Sequence, residues 1–169
     1  MNVFKTMDTK DFKEGPFRLI GKEWMLITAM KDGKVNTMTA SWGGLGVMWN
    51  MDVVYAMIRQ SRFTKEFVDA SDCFSLSFLN HEIYAKELGY LGSVSGRDEN
   101  KIEKANIHVN YQDGVPFIDE AEKVFICKKL FAQTMSPESF IWKEMDEKFY
   151  QDKDYHDLYV GGITQILIR

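Results

Sequence analysis

The chain has 169 residues, of which 45% are hydrophobic, 27% charged and 14% aromatic, and its formal net charge is −4. That length suits a single domain that buries its own core without staples, and the apolar and charged fractions are those of an ordinary globular protein. A mildly acidic balance argues against nucleic acid or an anionic membrane as partner, and no apolar run approaches the ~20 residues that span a bilayer.

Residues Met1–Gly15 are polar and mixed in charge, with no secretory h-region, so the expected location is the cytoplasm. Phe17–Ile20 and Trp24–Met30 are short apolar runs of strand character, separated by Gly21-Lys22-Glu23. Asp32-Gly33 is a hairpin turn signal between Trp24–Met30 and the next strand, Val35–Trp42. Gly43, Gly44 and Gly46 then read as a glycine loop. Asp52–Arg59 is a nearly continuous apolar run, as in a strand covered on both faces. Thr64–Ala70 and His81–Leu91 carry helical spacing, and Lys101–Ala105 is one further turn. Cys73–Leu79 alternates as a strand. Lys123–Thr134 is long and β-rich, and Leu158–Ile168 closes the chain with Gly161-Gly162 as a bulge. The two cysteines, Cys73 and Cys127, form no metal or redox motif and read as inert strand thiols; no metal ligand set is present. About six or seven strands and roughly two or three short helices, with no repeat or linker, predict one mainly β domain over 1–169, a barrel with helical decorations.

Four polar clusters stand out. In the first, Asn36, Thr37, Thr39 and Ser41 supply side-chain donors and acceptors before Trp42, and the glycines that follow let a backbone approach something flat. A strand edge facing a planar polar ligand needs that combination; an edge strand with a solvated face and a plain glycine turn is the equal alternative. In the second, Arg59, Ser61, Arg62, Thr64 and Lys65 lie between a strand and a helix start with no acid among them. Ser61 or Thr64 can cap that helix, and the junction suits a phosphate; a capped, solvated helix start is the plainer reading. The third, Ser93–Lys101, has Ser95-Gly96-Arg97 with Lys101 as a second basic clamp, or else is a surface loop of locally paired charges. The fourth centres on His156, between Asp154 and Asp157. Those acids predict a protonated imidazole, in a site or simply in solvent.

Together, N-T-M-T-A-S-W-G-G (36–44), R-Q-S-R-F-T (59–64), S-G-R-D-E-N-K (95–101) and Y-H-D-L-Y-V-G (155–161) resemble the flavin reductase-like family, the FMN-binding split-barrel group that includes flavoredoxin. The resemblance runs from about Trp24 to the C-terminus. It implies a split β-barrel, a homodimer, and one FMN per subunit, rather than FAD, in a cleft near the subunit interface. Asn36, Thr37, Met38, Thr39, Ala40 and Ser41 would then line the isoalloxazine, with Trp42 beside the ring or ribityl chain. Ser61, Arg62 and Thr64 would hold the phosphate, with Arg59 in the same cluster. Ser95, Gly96, Arg97 and Lys101 would reach the phosphate and ribityl side, and His156 would stand at the rim as the one protein group with a candidate catalytic role. The chain departs from the family at Asn100 and Gly162, where acids are common. The activity implied is that of an NAD(P)H-dependent flavin reductase, an oxidoreductase. The alternatives are a flavoredoxin-like electron carrier without efficient NAD(P)H oxidation, or a non-catalytic flavin-binding protein. No G-x-G-x-x-G fingerprint provides a separate nicotinamide domain. Phe140, Trp142, Phe149 and Tyr150, surplus rings in a charged segment, are the expected dimer contacts, and the redox partner stays open.

Overall fold

The computed structural model describes residues 1–169. Ten strands and five helices follow in chain order. They are β1 (Lys5–Met7), α1 (Pro16–Leu19), β2 (Met25–Lys31), β3 (Lys34–Ala40), β4 (Gly43–Met48), β5 (Met51–Arg59), α2 (Phe63–Ala70), β6 (Cys73–Phe78), α3 (His81–Ser93), α4 (Lys101–Lys104), β7 (Val109–Gln112), β8 (Val115–Ile118), β9 (Lys123–Thr134), α5 (Lys143–Phe149) and β10 (His156–Ile168). No helix is long and apolar enough to cross a membrane.

Eight strands form one antiparallel sheet in the order β3-β2-β6-β9-β10-β5-β4, with β1 added against β10. β3 and β4 stand at opposite ends of that path, yet only Ser41 and Trp42 separate them in the chain. Two residues reach only ~7 Å, so the sheet must curl until its ends meet. The result is the split β-barrel that the resemblance implied, with the split lying at the β3–β4 crossing.

Strand alternation explains the two cores. Along β2, Met25, Ile27 and Ala29 point into the barrel, while Leu26 points outward under α3 and the β7–β8 hairpin. In β6, Phe74, Leu76 and Phe78 fill the barrel interior. Ser75 and Ser77 face the other way but are fully buried, because they dock that hairpin. Ser75 Oγ donates to the Pro116 carbonyl at 2.6 Å, and Ser77 Oγ accepts from the Ile118 amide at 3.1 Å.

The Asp32-Gly33 turn, β2, β5, β6, β9 and β10 lie where the sequence puts them, and the β9–β10 register shifts between Val160 and Gly161, at the expected bulge. Other expectations need correction. Phe17–Ile20 belongs to a short helix whose first residue is Pro16, a position where a missing N–H costs nothing. The glycine loop is strand β4, paired with β5. A Cβ at Gly43 would lie 2.3 Å from the Tyr55 carbonyl oxygen, and one at Gly46 would lie 3.0 Å from its ring. The flat object these glycines admit is therefore Tyr55 of the same chain. The surplus rings also sort differently: Tyr150 is buried and stacks on Tyr155 with Phe140 beside it, leaving Trp142 and Phe149 more exposed.

Candidate functional site

Two adjoining cavities open at the split, and Arg62 lines both. The first has a volume of about 300 Å³. Met38–Trp42 form one wall, Met57, Arg59 and His156 the other, and Gly92 of α3 closes the end. β3 pairs only with β2, so its second edge keeps alternate backbone N–H and C=O groups for a ligand. Trp42 is 41% exposed and lies 5.0 Å, centroid to centroid, from the His156 ring. The second cavity holds about 180 Å³ between Ser61–Thr64 and Ser93–Arg97, with Lys101 at its wall.

Both cavities take their polar groups from element ends. The N-terminus of α2 follows Arg62, which makes no side-chain cap, and neither Ser61 nor Thr64 supplies one, contrary to expectation. The first-turn N–H groups and the positive end of the helix dipole therefore sit at the second cavity without a side-chain acceptor. Thr64 is buried, and its hydroxyl oxygen accepts from Asn36 Nδ2 at 2.8 Å. Gly96 makes that bracing possible, since a Cβ there would lie 2.3 Å from Asn36 Oδ1. Asn36 thus supports the second cavity from behind. Thr37 is turned away from both cavities: it is fully buried, hydrogen-bonds Thr28 at 2.8 Å, and donates to the Ile27 carbonyl. Thr39 anchors α3 by donating to the Leu88 carbonyl at 2.6 Å.

The charged candidates divide into engaged and free. Arg59 donates to the Asp154 and Phe149 carbonyls at 2.8 and 3.0 Å, and so ties down the segment between β9 and β10. Arg97 donates to the Ser61 carbonyl and pairs with Glu66 at 2.6 Å. Ser95 accepts from the Arg97 amide and shapes that loop. Arg62 and Lys101 belong to no ion pair. Lys101 is buried, its ammonium donating to the Leu91 and Val94 carbonyls at 3.0 and 3.1 Å. Burial, aided by Arg62, pushes its pKa down to about 8. Burial likewise lowers the pKa of Arg62, with Asp154 opposing and Arg59 adding to the shift. Two desolvated cations side by side, without a carboxylate in contact with either, form the anion-binding chemistry of this site.

His156 differs from expectation in charge. Burial is the largest effect on it, and with Arg59 it outweighs Asp154, taking the imidazole down to about 4. The ring is therefore neutral at pH 7, with Nδ1 2.7 Å from the Tyr150 hydroxyl. Met57 and Gly92 of the first cavity lie outside the four sequence clusters, whereas Phe63, Ser93 and Val94 of the second lie within them, without an assigned role. Met57 was within reach, being two residues before Arg59 on the same strand face. Nothing local in the sequence marks Gly92.

The family profile described as flavin reductase like domain matches residues 17–169. This chain belongs to the flavin reductase-like family. No curated protein sequence matches it. Among solved structures, an FMN-binding domain of a flavin reductases-like enzyme from Shewanella baltica superposes with a TM-score of 0.71 at 17% identity, covering 99% of this chain and 78% of that one. Flavoredoxin from Methanosarcina acetivorans gives 0.67 at 22% identity, over 87% of this chain and 68% of that one. An NADH:FAD oxidoreductase from Streptomyces globisporus, solved with NAD and FAD fragments, gives 0.64 at 13% identity, over 87% and 74%. At these identities the likeness is one of fold. It agrees with the split barrel read from the strand order.

Proposed function

We propose that this flavin reductase-like chain binds FMN across the two cavities and works as a flavin-dependent oxidoreductase, reduced by NADH or NADPH. The observation that carries this reading is the junction at Arg62. A cleft edged by strand backbone and Trp42 runs into a small cavity holding two cations that form no ion pair with a carboxylate. A planar heterocycle with a terminal phosphate matches that sequence of surfaces. The donor set fits the group: a desolvated guanidinium, a buried ammonium and a helix N-terminus at one end, and amide edges at the other.

When bound, the flavin supplies hydride acceptance and one- or two-electron donation. The chain's own residues bind and orient. The free edge of β3 offers N–H and C=O groups along Asn36–Ser41, and Trp42 lines the first cavity. Arg62 and Lys101 hold the anionic end. Neutral His156 is fixed by Tyr150: imidazole nitrogen is a better acceptor than the Met135 sulfur that the phenol also approaches, so Nδ1 accepts the hydrogen bond from the phenol and Nε2 carries the ring proton. His156 then presents a hydrogen-bond donor to the first cavity.

Assembly as a homodimer is part of the proposal. β4 is an open sheet edge, and Val47, Trp49 and Met51 on its hairpin, with Phe131 beside Trp49, are exposed apolar groups. Light scattering at micromolar concentration tests this directly.

Anaerobic mixing of the FMN-loaded protein with NADH and NADPH tests the activity. Bleaching of the flavin band within seconds supports a reductase. A band that responds to dithionite but to neither nucleotide contradicts it and favours the flavoredoxin-like carrier.

A further inference from the structure

Asp154 was not a candidate site residue, yet its carboxylate takes two donors beside the anion-binding end. Oδ1 accepts from the Ser61 amide at 2.9 Å and Oδ2 from the Ser61 hydroxyl at 2.5 Å. The acid is held in place: Arg59 donates to its carbonyl at 2.8 Å, and its own amide donates to Asp152 Oδ1 at 3.2 Å. Ser61, whose hydroxyl proton is committed to Asp154, directly precedes Arg62. A half-buried carboxylate is therefore bonded to Ser61, which lines a cavity whose free charges are both positive.

We infer that Asp154, rather than a ligand, is the partner of Ser61, and that its fixed charge sets the preference of the site between phosphorylated and unphosphorylated forms of one ligand. This rests on the flavin reading for the ligand's identity, but the charge argument applies to any anion. Arg62 and Lys101 attract a phosphate, while Asp154 repels it from one side. A phosphorylated flavin is then held less tightly than the cation pair alone would hold it. Because Asp154 is partly solvated, its effect is that of an exposed charge pair, roughly two- to fivefold in affinity at low salt. It shrinks as salt rises.

The test is titration of FMN, riboflavin and inorganic phosphate into wild type, Asp154→Asn and Asp154→Ala, at low and high salt. Asparagine keeps the acceptor for the Ser61 amide, and with it the local fold. Both variants should bind FMN and phosphate about two- to fivefold more tightly at low salt and less so at high salt, with riboflavin unchanged. Parallel changes for FMN and riboflavin would overturn the inference, leaving Asp154 a merely structural group. Weaker or unaltered FMN and phosphate binding would overturn it too. If wild type binds neither flavin, yet both variants tighten phosphate, the flavin reading fails and the control by Asp154 stands.

Discussion

Replacing Arg62 with methionine separates binding from stability more sharply than any other single change. The substitution keeps a long, flexible side chain between the two cavities and removes the charge. A hydrogen bond to a charged group contributes ~1.5–3 kcal/mol, so FMN affinity should fall roughly tenfold to 150-fold. Riboflavin, lacking the phosphate, should lose less than about threefold. The free protein should respond in the opposite direction. Arg62 is desolvated, sits beside the second cation Lys101, and forms no ion pair. Relieving that burial should leave stability unchanged or raise it by ~0–1 kcal/mol, as for other groups whose placement serves a ligand. Quenching of flavin fluorescence gives both affinities, and urea unfolding gives the stability. Equal losses for FMN and riboflavin, with a lower urea midpoint, would mean that Arg62 supports the fold and has no part in holding an anion.

Three further predictions follow from the same geometry. Lys101, with its pKa lowered from 10.5 to about 8, should hold FMN well below pH 8 and progressively worse above it, while riboflavin affinity stays flat. A flat FMN profile in calorimetry from pH 6.5 to 9.5 would remove Lys101 from the anion site. His156 is lowered from 6.5 to about 4 in the folded chain, so its contribution to stability is full above pH 6.5 and is lost as pH falls toward 4. Wild type should lose ~1–3 kcal/mol over that window beyond what His156→Gln loses, and matching urea curves at pH 7 and 4.5 would contradict the assignment. Thr64→Val should cost ~1–3 kcal/mol of stability, because it leaves the buried Asn36 amide without its 2.8 Å acceptor, and Thr64→Ser should recover most of it; equal melting of the two variants would refute that bracing.

Much of the fold was legible because it is local. The β2–β3 hairpin is fixed by Asp32-Gly33, whose φ values of 51° and 72° are those the turn needs. Lys123–Thr134 reads as a strand because its composition allows little else, and the structure has it end to end. Strand β4 was hidden because its glycines answer to Tyr55, which approaches only once β4 and β5 pair. The β7–β8 hairpin was missed although Asp113-Gly114 marks its turn; the cue was the same as at Asp32-Gly33. In the site, Arg62, Lys101 and the Met38–Trp42 wall came through in sequence, being carried by continuous motifs. What each charge faces did not. Arg97 finds Glu66, Ser61 finds Asp154 93 residues away, and His156 loses its proton to burial among cations. Those pairings are made by the closure of the sheet, which no short window of residues records.

The most direct measurement is a crystal structure of the protein grown with FMN. The expected result is a phosphate within hydrogen-bond distance of Arg62 and Lys101, with the ring against the Met38–Trp42 edge near His156. A flavin lying elsewhere, or a phosphate that contacts neither cation while Asp154 keeps Ser61, would contradict it.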